Sequence, residues 1–171
     1  MTENESLQKN RISFKDLFLF LVVAILTYVI VSFTFDKSRI MSASMEPTLM
    51  TGDTVIYIND FFTGVDRGDI VEFEMDGQIF SKRVIGISGD HISFEEGYVV
   101  INGKEADSDE YTLIPASTFP GNSTEYNVPE ECFFVMGDNR EDSFDSRFWT
   151  DPFVKKEDVK GKYLFTLSRA K

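Results

Sequence analysis

The stretch Leu17 to Phe35, LFLFLVVAILTYVIVSFTF, carries no charged residue and constrains this chain more than any other feature. It has about the length that ~20 apolar residues need to cross a hydrocarbon core as a helix. Lys9, Arg11 and Lys15 precede it, and Asp36, Lys37 and Arg39 follow it. The charge bias across the span is slight and sets orientation only weakly. The simplest topology has a short inner tail over 1–16, a transmembrane helix over 17–35 and a large outer domain over 36–171. The competing reading is a secretory signal peptide, cut at the small-x-small sequence Ser42-Ala43-Ser44. Against it stand the length of the apolar run and the long gap from Phe35 to Ser44.

The rest of the chain suits a charged body on a neutral anchor. Glu3, Glu5 and Asp16 cancel Lys9, Arg11 and Lys15, so the net charge of −12 falls on residues 36–171. An acidic balance without a basic patch argues against nucleic acid as a partner. Cys132 is the single cysteine, so no disulfide forms within the chain. It lies in the apolar run Cys-Phe-Phe-Val, which reads as a buried thiol and not as a reactive one. One cysteine and one histidine cannot build a zinc site, and no acidic loop has calcium-hand spacing. No metal or cofactor is expected.

After residue 36 the pattern is period-2 alternation broken by turn pairs. Strands are expected at Thr54–Ile58, Asp69–Glu74, Gln78–Ile87, His91–Phe94, Tyr98–Ile101, Glu131–Met136 and Lys162–Leu167. Asp76-Gly77, Glu95-Glu96-Gly97 and Asn102-Gly103 supply turns. Short strands at this spacing predict an all-β antiparallel domain, a sandwich or partly open barrel. Residues 104–130, rich in Asp, Ser, Thr, Pro, Gly and Asn, read as an excursion with little regular structure.

Three segments hold residues suited to catalysis. In Met41-Ser42-Ala43-Ser44-Met45-Glu46-Pro47-Thr48-Leu49, two small residues precede Ser44 and Pro47 stiffens the chain after it. Serines before prolines are common in loops, so this segment alone does not make a nucleophile. In Ile79-Phe80-Ser81-Lys82-Arg83-Val84-Ile85-Gly86, Lys82 lies in an apolar strand. Desolvation there disfavours the ammonium form, and a neutral amine beside a serine can act as a general base. The strand by itself favours the plainer reading, an ordinary solvated lysine. Gly137-Asp138-Asn139-Arg140-Glu141-Asp142-Ser143-Phe144-Asp145-Ser146-Arg147 is dense in hydrogen-bonding groups and reads first as a buried polar turn.

Taken in order, Ser-Met-Glu-Pro-Thr-Leu, Arg67-Gly68-Asp69-Ile70-Val71, Lys82-Arg83-Val84-Ile85-Gly86 with Gly89-Asp90, and the Gly137–Arg147 segment resemble the boxes of bacterial type I signal peptidases. These are the serine–lysine dyad leader peptidases. The likeness runs from about Leu17 to Leu167, and the short excursion resembles a Gram-positive form. It implies a β-sheet catalytic domain on one membrane helix. It implies Ser44 as nucleophile and Lys82 as general base, with Ser143 orienting the Lys82 amine and Asp145 with Arg147 supporting the last box. The Ser44 N–H and the Ser42 hydroxyl would face the oxyanion. Ile40, Met41, Met45, Leu49, Phe80 and Ser81 would border the substrate, with Ile40–Ser42 as a strand beside it.

The implied substrates are signal peptides of exported preproteins, cut after small-x-small sites. The implied surroundings are the lipid bilayer of the cell membrane and the secretion translocase. Ala43 and Ser88 depart from residues common in the family and bear on fine specificity. Two rivals remain at this level: a self-cleaving serine–lysine repressor, and a non-catalytic membrane-anchored assembly factor on the same fold, for example for surface fibres. A Ser-His-Asp triad would have to use His91, the only histidine, which lies apart from the three segments.

Overall fold

The computed structural model describes residues 13–59, 64–95, 98–105 and 121–169. The tail before Ser13, the turn residues 96–97 and residues 106–120 of the expected excursion lie outside them. The chain divides into two units, Met1–Thr34 and Phe35–Lys171.

Among the described residues the first unit holds one helix, α1 (Phe14–Thr34), none of whose side chains is buried. It begins three residues before the uncharged run because Ser13 caps it. The Lys15 N–H donates to Ser13 Oγ at 3.3 Å, and the Ser13 N–H donates to Asp16 Oδ2 at 3.1 Å. This reciprocal pair satisfies amides that the first turn leaves without partners. The helix is long and apolar enough to cross a membrane.

The second unit is mostly antiparallel sheet. Its strands are β1 (Phe35–Arg39), β2 (Thr54–Ile58), β3 (Ile70–Met75), β4 (Gln78–Gly86), β5 (His91–Glu95), β6 (Tyr98–Ile101), β7 (Lys104–Glu105), β8 (Glu125–Asn127), β9 (Cys132–Met136), β10 (Val154–Lys155) and β11 (Val159–Ser168). Seven form one sheet in the order β1-β2-β11-β3-β4-β9-β10, and four form another in the order β7-β6-β5-β8. No closed barrel forms among the described residues. The two tight hairpins are where the turn pairs placed them. Asp76 and Gly77 have φ of 52° and 74°, and Asn102 and Gly103 have 53° and 75°. These positive angles are what a two-residue turn between twisted strands demands.

At the centre, β9 and the Val84-Ile85 end of β4 are buried on both faces, and β9 reads as an unbroken apolar run for that reason. On β4, Val84 packs with Val71, Phe73 and Trp149, while Ile85 packs with Ile92, Val99 and Tyr126 under the second sheet. On β9, Phe133 and Val135 join the first group, and Phe134 and Met136 the second. Cys132 begins that strand half-buried, not fully buried as its apolar neighbours suggested, because it sits at the strand's end. A third cluster gathers Ile40, Met45, Leu49, Val55, Tyr57 and Ile70 behind the Ser44 segment.

β4 has a consequence for the site. It pairs with β3 along its length, from Gln78 to Arg83, but with β9 only from Arg83 onward. The second edge of Gln78–Lys82 therefore has no strand partner among the described residues.

Candidate active site

Ser44 sits in a short 3-10 turn, Ala43–Met45, held from behind by Met45 and Leu49 in the third cluster. Lys82 stands on β4 where that strand changes from open edge to paired core. The two meet at 2.6 Å, Lys82 Nζ to Ser44 Oγ, with the lysine 3% and the serine 7% exposed. Burial pulls the Lys82 pKa down to about 8. Asp145 opposes that shift and Arg147 adds to it. Ser42 Oγ lies 3.2 Å from Ser44 Oγ.

The Gly137–Arg147 segment closes on the serine turn from the other side. The Asn139 N–H donates to the Ser44 carbonyl at 3.0 Å, and its side-chain amide donates to the Ala43 carbonyl at 3.2 Å. Gly137 permits this approach: a Cβ there would stand 2.4 Å from the Ser44 carbonyl oxygen and 2.2 Å from Ser143 Oγ. Asp138 ties three segments together. It accepts from Thr48 Oγ1 at 2.6 Å and from Arg83 Nε at 2.7 Å, and it pairs with the same guanidinium through Arg83 NH2.

Asp145 is fully buried and saturated. It accepts from the Gly137 N–H at 2.9 Å, the Ser143 hydroxyl at 2.6 Å, and Arg147 Nε and NH2 at 2.8 and 2.9 Å. Arg147 also donates to the Arg140 carbonyl at 2.9 Å. Arg140 is itself buried, and burial with Arg147 nearby draws its pKa down to about 10.

A groove of about 350 Å³ runs past the Ser44–Lys82 pair. β1 and the residues after it line one side, from Ser38 to Met45. Ile79–Lys82 and Glu72 line the other. Its floor is mixed, with Ile40 and Phe80 beside Ser38, Ser81 and Glu72.

The family described as "Signal peptidase, peptidase S26" matches residues 13–168. The chain belongs to the signal peptidase family. It is 33% identical to a probable signal peptidase I-2 of Synechocystis over 77% of its length, and spans 62% of that relative, less than two thirds. It is 32% identical to a signal peptidase I of Bacillus licheniformis over 86% of its length and 84% of the relative's. A crystal structure of a signal peptidase I from Enterococcus faecalis V583 aligns with a TM-score of 0.48 at 31% identity, covering 58% of this chain and 97% of that one.

Within this signal peptidase chain, the structure gathers most residues singled out from sequence. Ser42, Ser44, Lys82, Ile40, Met41, Met45, Phe80 and Ser81 all line the groove. Three expectations need correction. Leu49 is fully buried in the third cluster and does not reach the groove, because its backbone turns inward where its N–H bonds the Met45 carbonyl. The Ser143 hydroxyl donates to Asp145 and makes no hydrogen bond to Lys82, since the carboxylate is the nearer and stronger acceptor. Ile40–Ser42 is not a strand: β1 ends at Arg39, and after one more pair of bonds, Ile40 N–H to Asp53 and Gly52 N–H to Ile40, the chain leaves for the 3-10 turn.

Sequence reasoning missed the linkage of buried Asp138 and Arg83 with half-buried Thr48, and Glu72 as a groove residue. Asp138 and Arg83 each stood inside a recognised segment, but nothing in either segment names the other as its partner.

Proposed function

We propose that this protein is a signal peptidase I, a membrane-anchored serine endopeptidase that removes N-terminal signal peptides from exported preproteins after small-x-small sites. The observation that carries the mechanism is the 2.6 Å contact between Lys82 Nζ and Ser44 Oγ in a buried setting. With the amine neutral, the Ser44 hydroxyl donates along that line. Ser44 Oγ attacks the scissile carbonyl while its proton passes to Nζ. The tetrahedral oxyanion is met by the Ser44 N–H and the Ser42 hydroxyl. As the C–N bond breaks, the Lys82 ammonium returns the proton to the leaving amine. Water then attacks the acyl ester, with Lys82 again taking a proton, and Ser44 is released.

The substrate lies extended in the groove and adds to the open edge of Gln78–Lys82, so backbone bonds supply affinity and the pockets supply selection. Ser143, Asp145 and Arg147 are positioning residues. The 17–35 segment anchors the enzyme in the cell membrane, with residues 1–16 cytoplasmic and the 36–171 catalytic domain outside. The accessory part assigned to 104–130 contributes β7 and β8 to the second sheet at its described ends. Signal peptides arrive through the bilayer from the secretion translocase, and confinement to the same membrane raises their effective concentration. The non-catalytic rival predicts loss of Ser44 or Lys82, and both are present.

The test is Ser44→Ala in the full chain, assayed in detergent on a preprotein with a small-x-small site. Cleavage should fall by at least about a thousandfold with the fold unchanged. Retained cleavage would remove Ser44 from the mechanism.

A further inference from the structure

Glu72 is only 4% exposed, yet it lines the groove that holds Ser44 and Lys82. Its neighbours Val71 and Phe73 pack in the core on the opposite face of β3, so alternation turns Glu72 toward the groove. It stands directly across from Ser81. One carboxylate oxygen, Oε1, is buried without a hydrogen-bond partner. Burial raises the Glu72 pKa; the Ser38 hydroxyl on β1 opposes the shift, and Asp36 adds to it. The Ser81 hydroxyl is already engaged with the Tyr57 hydroxyl at 2.8 Å. The nearest hydroxyls thus leave Oε1 unmet, and a buried acceptor of this kind is costly unless something supplies its donor.

We propose that Glu72 makes this end of the groove a subsite for a small hydroxyl side chain, serine or threonine, at the third residue before the scissile bond. The proposal rests on the function proposed above. In an extended substrate, side chains two residues apart share a face about 6.6–7 Å apart. The residue before the cut lies beside Ser44 and Met45. The next one on the same face falls toward Ser38, Ser81 and Glu72, farther back along β1. Serine and threonine are the side chains that are both small and able to donate a strong hydrogen bond to a carboxylate. A fully apolar pocket would not separate threonine from valine well, whereas a site with a buried acceptor does, because valine leaves that acceptor unmet.

The test uses the full-length enzyme in detergent with three preproteins that differ only in threonine, valine or lysine at the third position. Wild type should cleave the threonine substrate with kcat/KM about tenfold or more above the valine one. Glu72→Val should bring that ratio to one or below while still cutting the valine substrate, and Glu72→Gln, which keeps an acceptor, should retain part of the preference. A merely structural Glu72 would slow both substrates alike and leave the ratio intact, which would overturn the proposal. Equal cleavage of threonine and valine by wild type would also overturn it, and needs no variant to fold. A preference for lysine over threonine would reassign the subsite to a cation. If wild type cuts none of the three, the functional reading falls and this proposal falls with it.

Discussion

Lys82 and Arg147 are both buried cations in one site, 3% and 1% exposed, and their surroundings differ in one respect. Arg147 is gripped by Asp145 through two parallel bonds and by the Arg140 carbonyl. Among the described residues, Lys82 has a single hydroxyl partner and no carboxylate within ion-pair distance. A buried charge without a counter-ion relieves its cost by giving up its proton, and only the lysine can do so, since a guanidinium stays charged. Asp145 lies close enough to bear on Lys82 but bonds the arginine. The pairing keeps one cation charged as structure and leaves the other to titrate. The same comparison explains why the Ser143 hydroxyl on Asp145 matters: each donor that Asp145 accepts draws its charge away from Lys82.

The sharpest way to break the contrast is Lys82→Arg. It places a permanent cation where a base is needed, and activity should drop on the order of ten-thousandfold. Turnover of a preprotein by the purified variant decides it, and near wild-type cleavage would end the dyad assignment. Next in size is Asp145→Asn, which leaves Arg147 buried and unpaired. It should cost about 3–5 kcal/mol of stability, read by denaturant unfolding of the full chain. It should also move the activity profile to lower pH, because the Asp145 charge holds the Lys82 pKa up. A profile that stays in place would show that Asp145 acts on the arginine alone.

A smaller effect follows from the lysine's own titration. Its folded pKa of about 8 lies below the ordinary 10.5. Between those values the unfolded chain holds a proton that the folded chain has released, so unfolding binds protons and stability falls as pH falls through the window. It levels off below about 8, where the cost totals on the order of 3 kcal/mol. Activity runs the same way, low in acid and rising to a plateau as pH passes about 8. Lys82→Met should abolish cleavage and raise stability near neutral pH by ~1–3 kcal/mol, an effect that vanishes above pH ~10.5. A variant less stable than wild type at pH 7 would mean that the amine is not a strained group.

How much of this was legible before the structure depends on whether a residue's role is local. Asp76-Gly77 and Asn102-Gly103 announce turns because a positive φ pair is demanded within two residues. β9 announces itself as an apolar run, Cys132-Phe133-Phe134-Val135-Met136. β1 does not: Phe35-Asp36-Lys37-Ser38-Arg39 has no alternating apolar face, and it is a strand because β2 pairs with all five residues. β8 and β10 are too short to show a period.

The site divides in the same way. Ser44 and Lys82 stand in recognisable segments, but the choice of Asp145 over Lys82 as the Ser143 partner depends on how the turn folds. Glu72 and Glu74 show the limit most clearly. They are the same residue type at the same phase of one strand, yet Glu72 is buried in the groove and Glu74 is half-exposed beside Lys160 at 3.1 Å. No local signal separates them.

The smallest predicted effect belongs to the lone histidine. His91 opens β5 in the second sheet, where its ring is 43% exposed and its Nε2 lies 3.7 Å from Glu125, itself largely exposed. Neither residue touches the groove. A pair this open is screened by water and salt and contributes under about 1 kcal/mol. A triad mechanism needs an imidazole within hydrogen-bond reach of the nucleophile, and the Ser44 hydroxyl already has Lys82 and Ser42 as its neighbours. His91→Ala should therefore leave kcat/KM within about twofold of wild type and shift the thermal midpoint by no more than roughly 3 °C. A loss of several orders of magnitude in turnover, with the fold intact, would transfer the general base from Lys82 to His91. The contrast between the two buried cations would then describe stability and nothing of the chemistry.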